Sequence, residues 1–313
     1  MTTSSPAPLA PPGGARAPWL HPVDKVHLGF YGFVLLVTVL RVGALPEAWK
    51  SFAWYGGATV ATLVVAAAVR GKTGMTPGLV RAAFTIGVAP FSFLMLAFVV
   101  PYANPWHQER LLYDVDTWAF LGRNPNVMLD GMATPWLTEL LQAVYAFYYA
   151  IPLVMLVAMV LRRTAGGLER GLFDVLLCLY GSYVGYFLVP ATGPNINKLG
   201  LYPAHFASPM EGLWFAEELR ASIFAAEWIK QDCWPSGHTA LSFVCLVIAR
   251  REGVRWAYWT LLVPVILLIF STMYLRYHYV VDVVCGFLLA FAVLRWGRPL
   301  EARLRGDTGP TGS

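Results

Sequence analysis

The chain has 313 residues, of which 57% are hydrophobic and 13% charged, with mean hydropathy +0.55 and formal net charge +5. A soluble globular chain carries about a quarter charged residues, so an ordinary cytosolic protein and a disordered or fibrous one are both excluded. The solvent this composition fits is a bilayer. Residues 1–25 are rich in Pro, Ala and Gly and have no apolar core of a cleavable signal, which reads as a flexible N-terminal segment. About eight apolar segments follow, near the roughly 17–25 residues needed to span. They run approximately over Leu28–Val42, Phe52–Val69, Ala82–Tyr102, Leu140–Leu161, Gly171–Pro190, Ser236–Ala249, Trp256–Leu275 and Tyr279–Trp296. The first and sixth are short.

The fold class expected is therefore all-α, a polytopic helical membrane bundle with two N-terminal spans added to a six-span core. The expected divisions are a flexible cytoplasmic segment 1–25, N-terminal spans 26–102, an outer loop 103–139, a catalytic core 140–297 and a cytoplasmic tail 298–313. Within the second long loop, Leu213–Ile229 has near-helical spacing and fits either an amphipathic surface helix or a connecting one. Trp54, Tyr55, Trp106, Trp118, Trp136 and Trp228 fit an interfacial aromatic belt. The four cysteines, Cys178, Cys233, Cys245 and Cys285, lack disulfide or CxxC spacing and read as small buried hydrophobes.

Charge sorting orients the bundle. Basic residues cluster after every second span, and fifteen of the 23 Lys and Arg fall on one side, among them Arg81, Arg163, Arg170, Arg251 and Arg298. By the positive-inside rule that side and both termini are cytoplasmic. The excess then needs no nucleic acid to explain it. The loops 103–139 and 191–235 and the junction Arg276–His278 face outward, and the outer face gathers the residues with chemistry.

Three segments stand out there. Cys233-Trp-Pro-Ser236-Gly237-His238-Thr239 enters an apolar run; Pro, Ser and Gly at a helix entrance leave unpaired N–H groups and a hydroxyl for an anion, with His238 on the first turn as a proton donor. In Arg276-Tyr-His278-Tyr-Val-Val-Asp282 the i, i+4 spacing puts His278 and Asp282 on one helix face, so that the carboxylate orients one ring nitrogen and frees the other. Val189–Lys198 ends the fifth span, where Asn195 and Lys198 offer donors to a phosphate, although a span end with a snorkelling Lys has the same composition. A metal site from His238, His278 and Asp282 is open by ligand type. Asp114 and Asp116 read as loop-solvating groups in preference to head-group ligands. His21, His27, His107 and His205 have no motif around them.

In these segments the sequence resembles the type 2 phosphatidic acid phosphatase superfamily of membrane lipid phosphatases and phosphotransferases. Pro235-Ser236-Gly237-His238 matches its PSGH motif, and His278-x-x-x-Asp282 matches the end of its third motif, about 40 residues on. The resemblance implies a metal- and cofactor-independent reaction on a lipid phosphate substrate. His278 attacks phosphorus to form a phosphohistidine, His238 protonates the leaving alkoxide, Asp282 orients His278, and Ser236 with the Gly237 N–H binds phosphoryl oxygens. Water or an acceptor alcohol resolves the intermediate.

Two departures stand beside it. The usual KxxxxxxRP first motif has no counterpart, and the Pro190–Lys198 segment takes its place. The usual Arg six residues before the nucleophile is Thr272, while Arg276 lies two before it. Lys198, Asn195 and Arg276 are thus phosphate-binding candidates by position alone. The Gly193-Pro194 turn, together with Tyr113-Asp114-x-Asp116, Thr134–Leu137 and the aromatic run Tyr145–Tyr149, is similar to the inositol phosphorylceramide synthase branch and its bacterial relatives. That likeness implies transfer of a phospho-head group to an alcohol acceptor, sphingolipid or other. The Ala, Gly, Pro and Arg bias fits a high-GC bacterial source and hence its plasma membrane, and the charge sorting puts the site on the extracytoplasmic face. The alternatives are a hydrolytic lipid phosphate or prenyl pyrophosphate phosphatase and, from another class, a transporter or scaffold that keeps the fold.

Overall fold

The computed structural model describes residues 19–163, 165–202 and 210–306. Residues 1–18, His205 and 307–313 lie outside them. Among the described residues there are thirteen α-helices and no strand. In chain order they are α1 (Pro22–Leu40), α2 (Ala48–Ala68), α3 (Thr76–Met95), α4 (Val100–Ala103), α5 (Glu109–Ala119), α6 (Pro125–Asp130), α7 (Pro135–Ala146), α8 (Ile151–Leu161), α9 (Ala165–Leu188), α10 (Ala216–Ala226), α11 (Gly237–Arg251), α12 (Arg255–Tyr274) and α13 (Val280–Arg305).

Local chemistry sets many of these boundaries. Proline within the first two positions starts α1, α3, α6, α7 and α8, where its missing N–H costs no intrahelical bond. His21 and Asp24 form a reciprocal cap on α1, so the helix begins at Pro22, inside the segment expected to be flexible to residue 25. At the other end α13 runs to Arg305, past the boundary expected at 297. Pairs from Glu301 to Arg305 and Arg298 line its last turns, and Gly306 closes it in the left-handed conformation.

Among the described residues, seven segments are long and apolar enough to cross a bilayer: Pro22–Leu40, Ala48–Ala68, Thr76–Ala103, Pro135–Leu161, Gly166–Leu188, Arg255–Tyr274 and Val280–Arg305. The chain is an integral membrane helical bundle. The eighth expected span, Ser236–Ala249, is α11, a helix of 15 residues. At 1.5 Å per residue it reaches only about 22 Å. It is short because it starts within the bundle, where its sides pack on α8, α9, α12 and α13. Most of its residues are buried.

The central element is α9: 61% of its apolar stretch is buried, against 28–39% in the other six spans. One face joins the core of α8, α11, α12 and α13 around Met159, Val244, Leu261 and Val293. The other joins α1, α2 and α3 around Tyr31, Tyr55, Val88 and Phe173. His27, which has no motif in the sequence, pins this second seam, with ring nitrogens 2.8 Å from the Tyr180 hydroxyl and 3.1 Å from that of Thr85. Tyr55, expected in the aromatic belt, is fully buried and donates to the Ser92 carbonyl, whereas Trp106, Trp118 and Trp136 are exposed.

The Lys25 ammonium donates to the Leu304 carbonyl, so the start of α1 and the end of α13 lie side by side. Other residues assigned to the same loops by charge also meet: Arg81 pairs with Asp24 and Glu169, and Arg170 and Arg298 with Glu252.

Candidate active site

The three polar segments singled out in the sequence converge where α11 and α13 begin. Ser236 caps α11 by accepting from the Thr239 N–H at 3.3 Å and the Thr239 hydroxyl at 3.1 Å, and its own N–H donates to the Asp282 carbonyl at 3.1 Å. The first segment is thereby tied to the second through the backbone. Gly286 makes the crossing of α11 and α13 possible, since a Cβ there would lie 2.6 Å from the Ser236 carbonyl oxygen. The third segment closes on the same point. Asn195 N–H donates to the Arg276 carbonyl, and a Cβ on Gly193 would lie 2.4 Å from the Tyr277 carbonyl oxygen, so only glycine fits that turn.

This places His278 Nε2 3.4 Å from His238 Nδ1. Behind His278, Asp282 is fully buried, and its Oδ2 lies 3.5 Å from His278 Nδ1. The same oxygen accepts from the Tyr279 N–H at 2.9 Å and from the Cys233 thiol at 2.7 Å. Cys233, a bland buried cysteine by sequence, therefore touches both members of the pair, with its sulfur 3.5 Å from His278 Nδ1. Burial and the Asp282 carboxylate both hold its thiol well above the usual range, in the protonated donor form. Cys233, His278 and Asp282 bring one donor atom each within 4.8 Å of one another, a set that could hold a divalent cation; His238 is outside that set.

His238 is held by rings. Tyr145 stacks on it with centroids 4.7 Å apart and 27° between planes, Tyr148 lies 4.2 Å away, and Tyr145 stacks in turn on Tyr277 at 4.3 Å. His238 Nε2 is shielded from solvent and has no hydrogen-bond partner among the described residues. A hydrogen-bonding group entering the cavity beside it would satisfy it.

Two cavities meet at this histidine. A polar one of about 40 Å³ is lined by His278, His238, Asn195, Lys230, Glu227 and Asp232. An apolar one of about 370 Å³ runs away between α3, α8, α9 and α11. Glu227, Asp232 and His238 line both. Burial raises the carboxyl pKa of Glu227 and of Asp232, and for Asp232 the charge of Glu227 adds to it. The Tyr149 hydroxyl donates to Glu227 Oε1 at 3.0 Å. Lys230 Nζ donates to the Phe224 and Glu227 carbonyls and sits 3.5 Å above the Phe224 ring.

The weaker positional assignments come out differently from the histidines. Asn195 lines the polar cavity. Lys198 is on the surface, 3.1 Å from His107 Nε2. Arg276 is buried with its guanidinium on Asp130 at the end of α6, so the described cation of the polar cavity is Lys230. Gly237 lines the apolar cavity, and Ser236 is buried with its hydroxyl engaged in the cap. Asp114 is an exposed helical partner of Arg110, in keeping with a solvating role. Asp116 is not: it is buried and accepts from the N–H groups of Val280 and Val281, the first turn of α13. Glu109 likewise accepts from the Thr192 N–H and hydroxyl. The segment 103–139 is thus a folded buttress of the site. The sequence signs of it were the likeness of Tyr113-Asp114-x-Asp116 and Thr134–Leu137 to the synthase branch and the helical spacing of Glu109, Leu112 and Asp116.

Comparison with protein families matches residues 110–296 to the PAP2 superfamily. The matched region starts in α5, and so includes Asp116 and the rest of that buttress from residue 110 on, as well as both histidine segments. No curated protein and no solved structure shows a match to the chain.

Proposed function

Because the chain belongs to the PAP2 superfamily, which supports a phosphatase- or phosphotransferase-type activity, we propose that it cleaves a membrane lipid phosphoester through a phosphohistidine on His278 and passes the phosphoryl or phospho-head group to an alcohol acceptor. The observation that carries the reading is the His278–His238 contact of 3.4 Å at the joint of a polar and an apolar cavity. An amphiphile with phosphate at its polar end fits that joint.

In the first step the lone pair of His278 Nε2 forms the bond to phosphorus as the P–O bond to the lipid breaks. The proton of His238 goes to the departing oxygen, leaving a neutral lipid alcohol. Asp282, held by the Tyr279 N–H and the Cys233 thiol, fixes the His278 ring and balances its charge. In the second step neutral His238 takes the acceptor's proton as its oxygen attacks phosphorus, and His278 is released. The incoming phosphate takes the place of the hydrogen bond between the two rings, with Lys230 and Asn195 on the lining to meet its oxygens.

Burial raises the proton affinity of Glu227 and Asp232, so on the lining of the polar cavity they can accept from an acceptor hydroxyl and, when protonated, donate to a phosphate oxygen. The preference for an alcohol over water draws on the likeness to the inositol phosphorylceramide synthase branch. Incubation with candidate lipids, with and without ceramide or diacylglycerol, followed by mass spectrometry of the products, tests this. New phospholipid is expected with acceptor; free phosphate as the only product under both conditions would leave the phosphatase reading. His278→Gln should abolish turnover in either case, and retained turnover would sink the phosphohistidine.

A further inference from the structure

The apolar cavity has its mouth at His238 and does not touch His278. In an in-line displacement the leaving oxygen departs opposite the nucleophile, on the side of the general acid. The group that leaves is therefore the one beside the apolar cavity. We propose that this cavity is the binding slot for the aliphatic chain of the lipid that carries the leaving oxygen, and that α3, which precedes the matched region 110–296, is the wall that selects the chain. The proposal rests on the lipid-phosphoester reading above.

The lining supports it. From α3 come Ala82, Ile86, Ala89 and Phe93; across the gap stand Leu153 and Leu156 of α8. Both helices pack on α9, which forms the back of the slot with α11. Ile86 and Leu153 are each 45% exposed, so the slot opens sideways between two spans, where a chain can enter from the bilayer without crossing water. Its volume, about 370 Å³, is within the usual range for a ligand cavity. The polar groups at the mouth, Glu227, Asp232 and His238, leave an amphiphile one way to lie: chain inward along α3, ester oxygen at His238. The chain is thus threaded inside the protein.

The test uses the full chain in detergent with two phosphate monoesters, hexadecyl phosphate and butyl phosphate. Ile86→Trp and Leu153→Trp narrow the slot from opposite walls at half-exposed positions, and Val64→Trp on the outer face of α2 is the control. Both slot variants should lower kcat/KM for hexadecyl phosphate about tenfold or more, since even one methylene in an apolar pocket is worth roughly 10–200-fold. Butyl phosphate turnover should stay within about twofold of wild type, and Val64→Trp should change neither, as expected of lipid-facing surface changes. Equal losses for both substrates, or none, would overturn the slot.

A second readout does not need turnover: hexadecyl phosphate with a photoreactive group at the chain end, followed by peptide mapping. Labels on residues 82–93 and 152–159 would sustain the slot even if no phosphate were released, in which case the catalytic reading alone fails. Labels spread over α2 and α12 would overturn it.

Discussion

Asp116 on α5 caps α13: its two carboxylate oxygens accept from the Val280 N–H at 2.7 Å and the Val281 N–H at 2.8 Å, one turn from His278 and Asp282. A carboxylate at a helix N-terminus satisfies unpaired donors and opposes the positive end of the dipole. Asp116→Ala should therefore lower stability by about 0.5–2 kcal/mol, the usual loss for a cap. It should also reduce kcat, because the first turn of α13 orients the nucleophile. Asp116→Asn keeps one acceptor and should lose less of both. Thermal unfolding in detergent beside turnover checks it; an Ala variant equal to wild type would remove the cap from the account.

Arg276 and Asp130 form a buried ion pair. Removing one partner of such a pair strands a charge and costs about 3–5 kcal/mol, whereas replacing both by apolar groups of similar size is often neutral. Arg276→Ala is expected to destabilise strongly, and Arg276→Met with Asp130→Leu to recover most of the loss. The double variant should keep a near-normal KM, because Arg276 is buried against Asp130 and is not on the lining of the polar cavity. A large rise in KM in a well-folded double variant would instead return Arg276 to the phosphate site.

Tyr145 lies between His238 and Tyr277 with near-parallel rings on both sides. Such stacks are worth about 0.5–1.5 kcal/mol beyond burial. Tyr145→Phe keeps the ring and should stay close to wild type, while Tyr145→Ala should lower kcat more than KM, as the acid loses its orientation. Steady-state kinetics with one lipid phosphate decide it, and an Ala variant with unchanged kcat would reduce Tyr145 to packing.

Asp232 has its carboxyl pKa raised by burial and next by Glu227. A group that binds its proton more tightly folded than unfolded adds stability below the ordinary carboxylate range, and that stability is lost as pH rises through the folded value. The melting temperature should therefore decline from mildly acidic toward alkaline pH, and Asp232→Asn should flatten the decline. An unchanged slope in the Asn variant would assign it to other groups.

Much of this was legible from residue types alone. Apolar runs located seven spanning segments, His278 and Asp282 were visible because residues at i, i+4 share a helix face, and His238 because it stands in a Pro-Ser-Gly-His helix entrance. The end of the bundle where charges pair, from Arg81–Asp24 to Arg298–Glu252, follows from the sorting of Lys and Arg by loop. What was hidden depends on contacts between segments far apart in the chain. Asp116 looks like a solvating loop acid until α13 is laid against it, and Cys233 like a small hydrophobe until Asp282 is 2.7 Å away. Lys198 and Arg276 were plausible anion ligands by position, but side-chain direction took one to His107 and the other to Asp130. Lys230 had no motif to announce it, because its place on the polar cavity is set by the turn after α10.

The central claim is a covalent bond between phosphorus and His278. The most direct measurement is a rapid acid-free quench of the enzyme with a radiolabelled lipid phosphate, followed by peptide mapping, in wild type, His238→Ala and His278→Gln. An acid-labile, base-stable label on the peptide bearing His278 is expected in wild type and absent in His278→Gln. With a substrate whose leaving group needs no protonation, the label should persist in His238→Ala, because the base for the second step is gone. Turnover without any such label, or a label that survives in His278→Gln, would contradict the account.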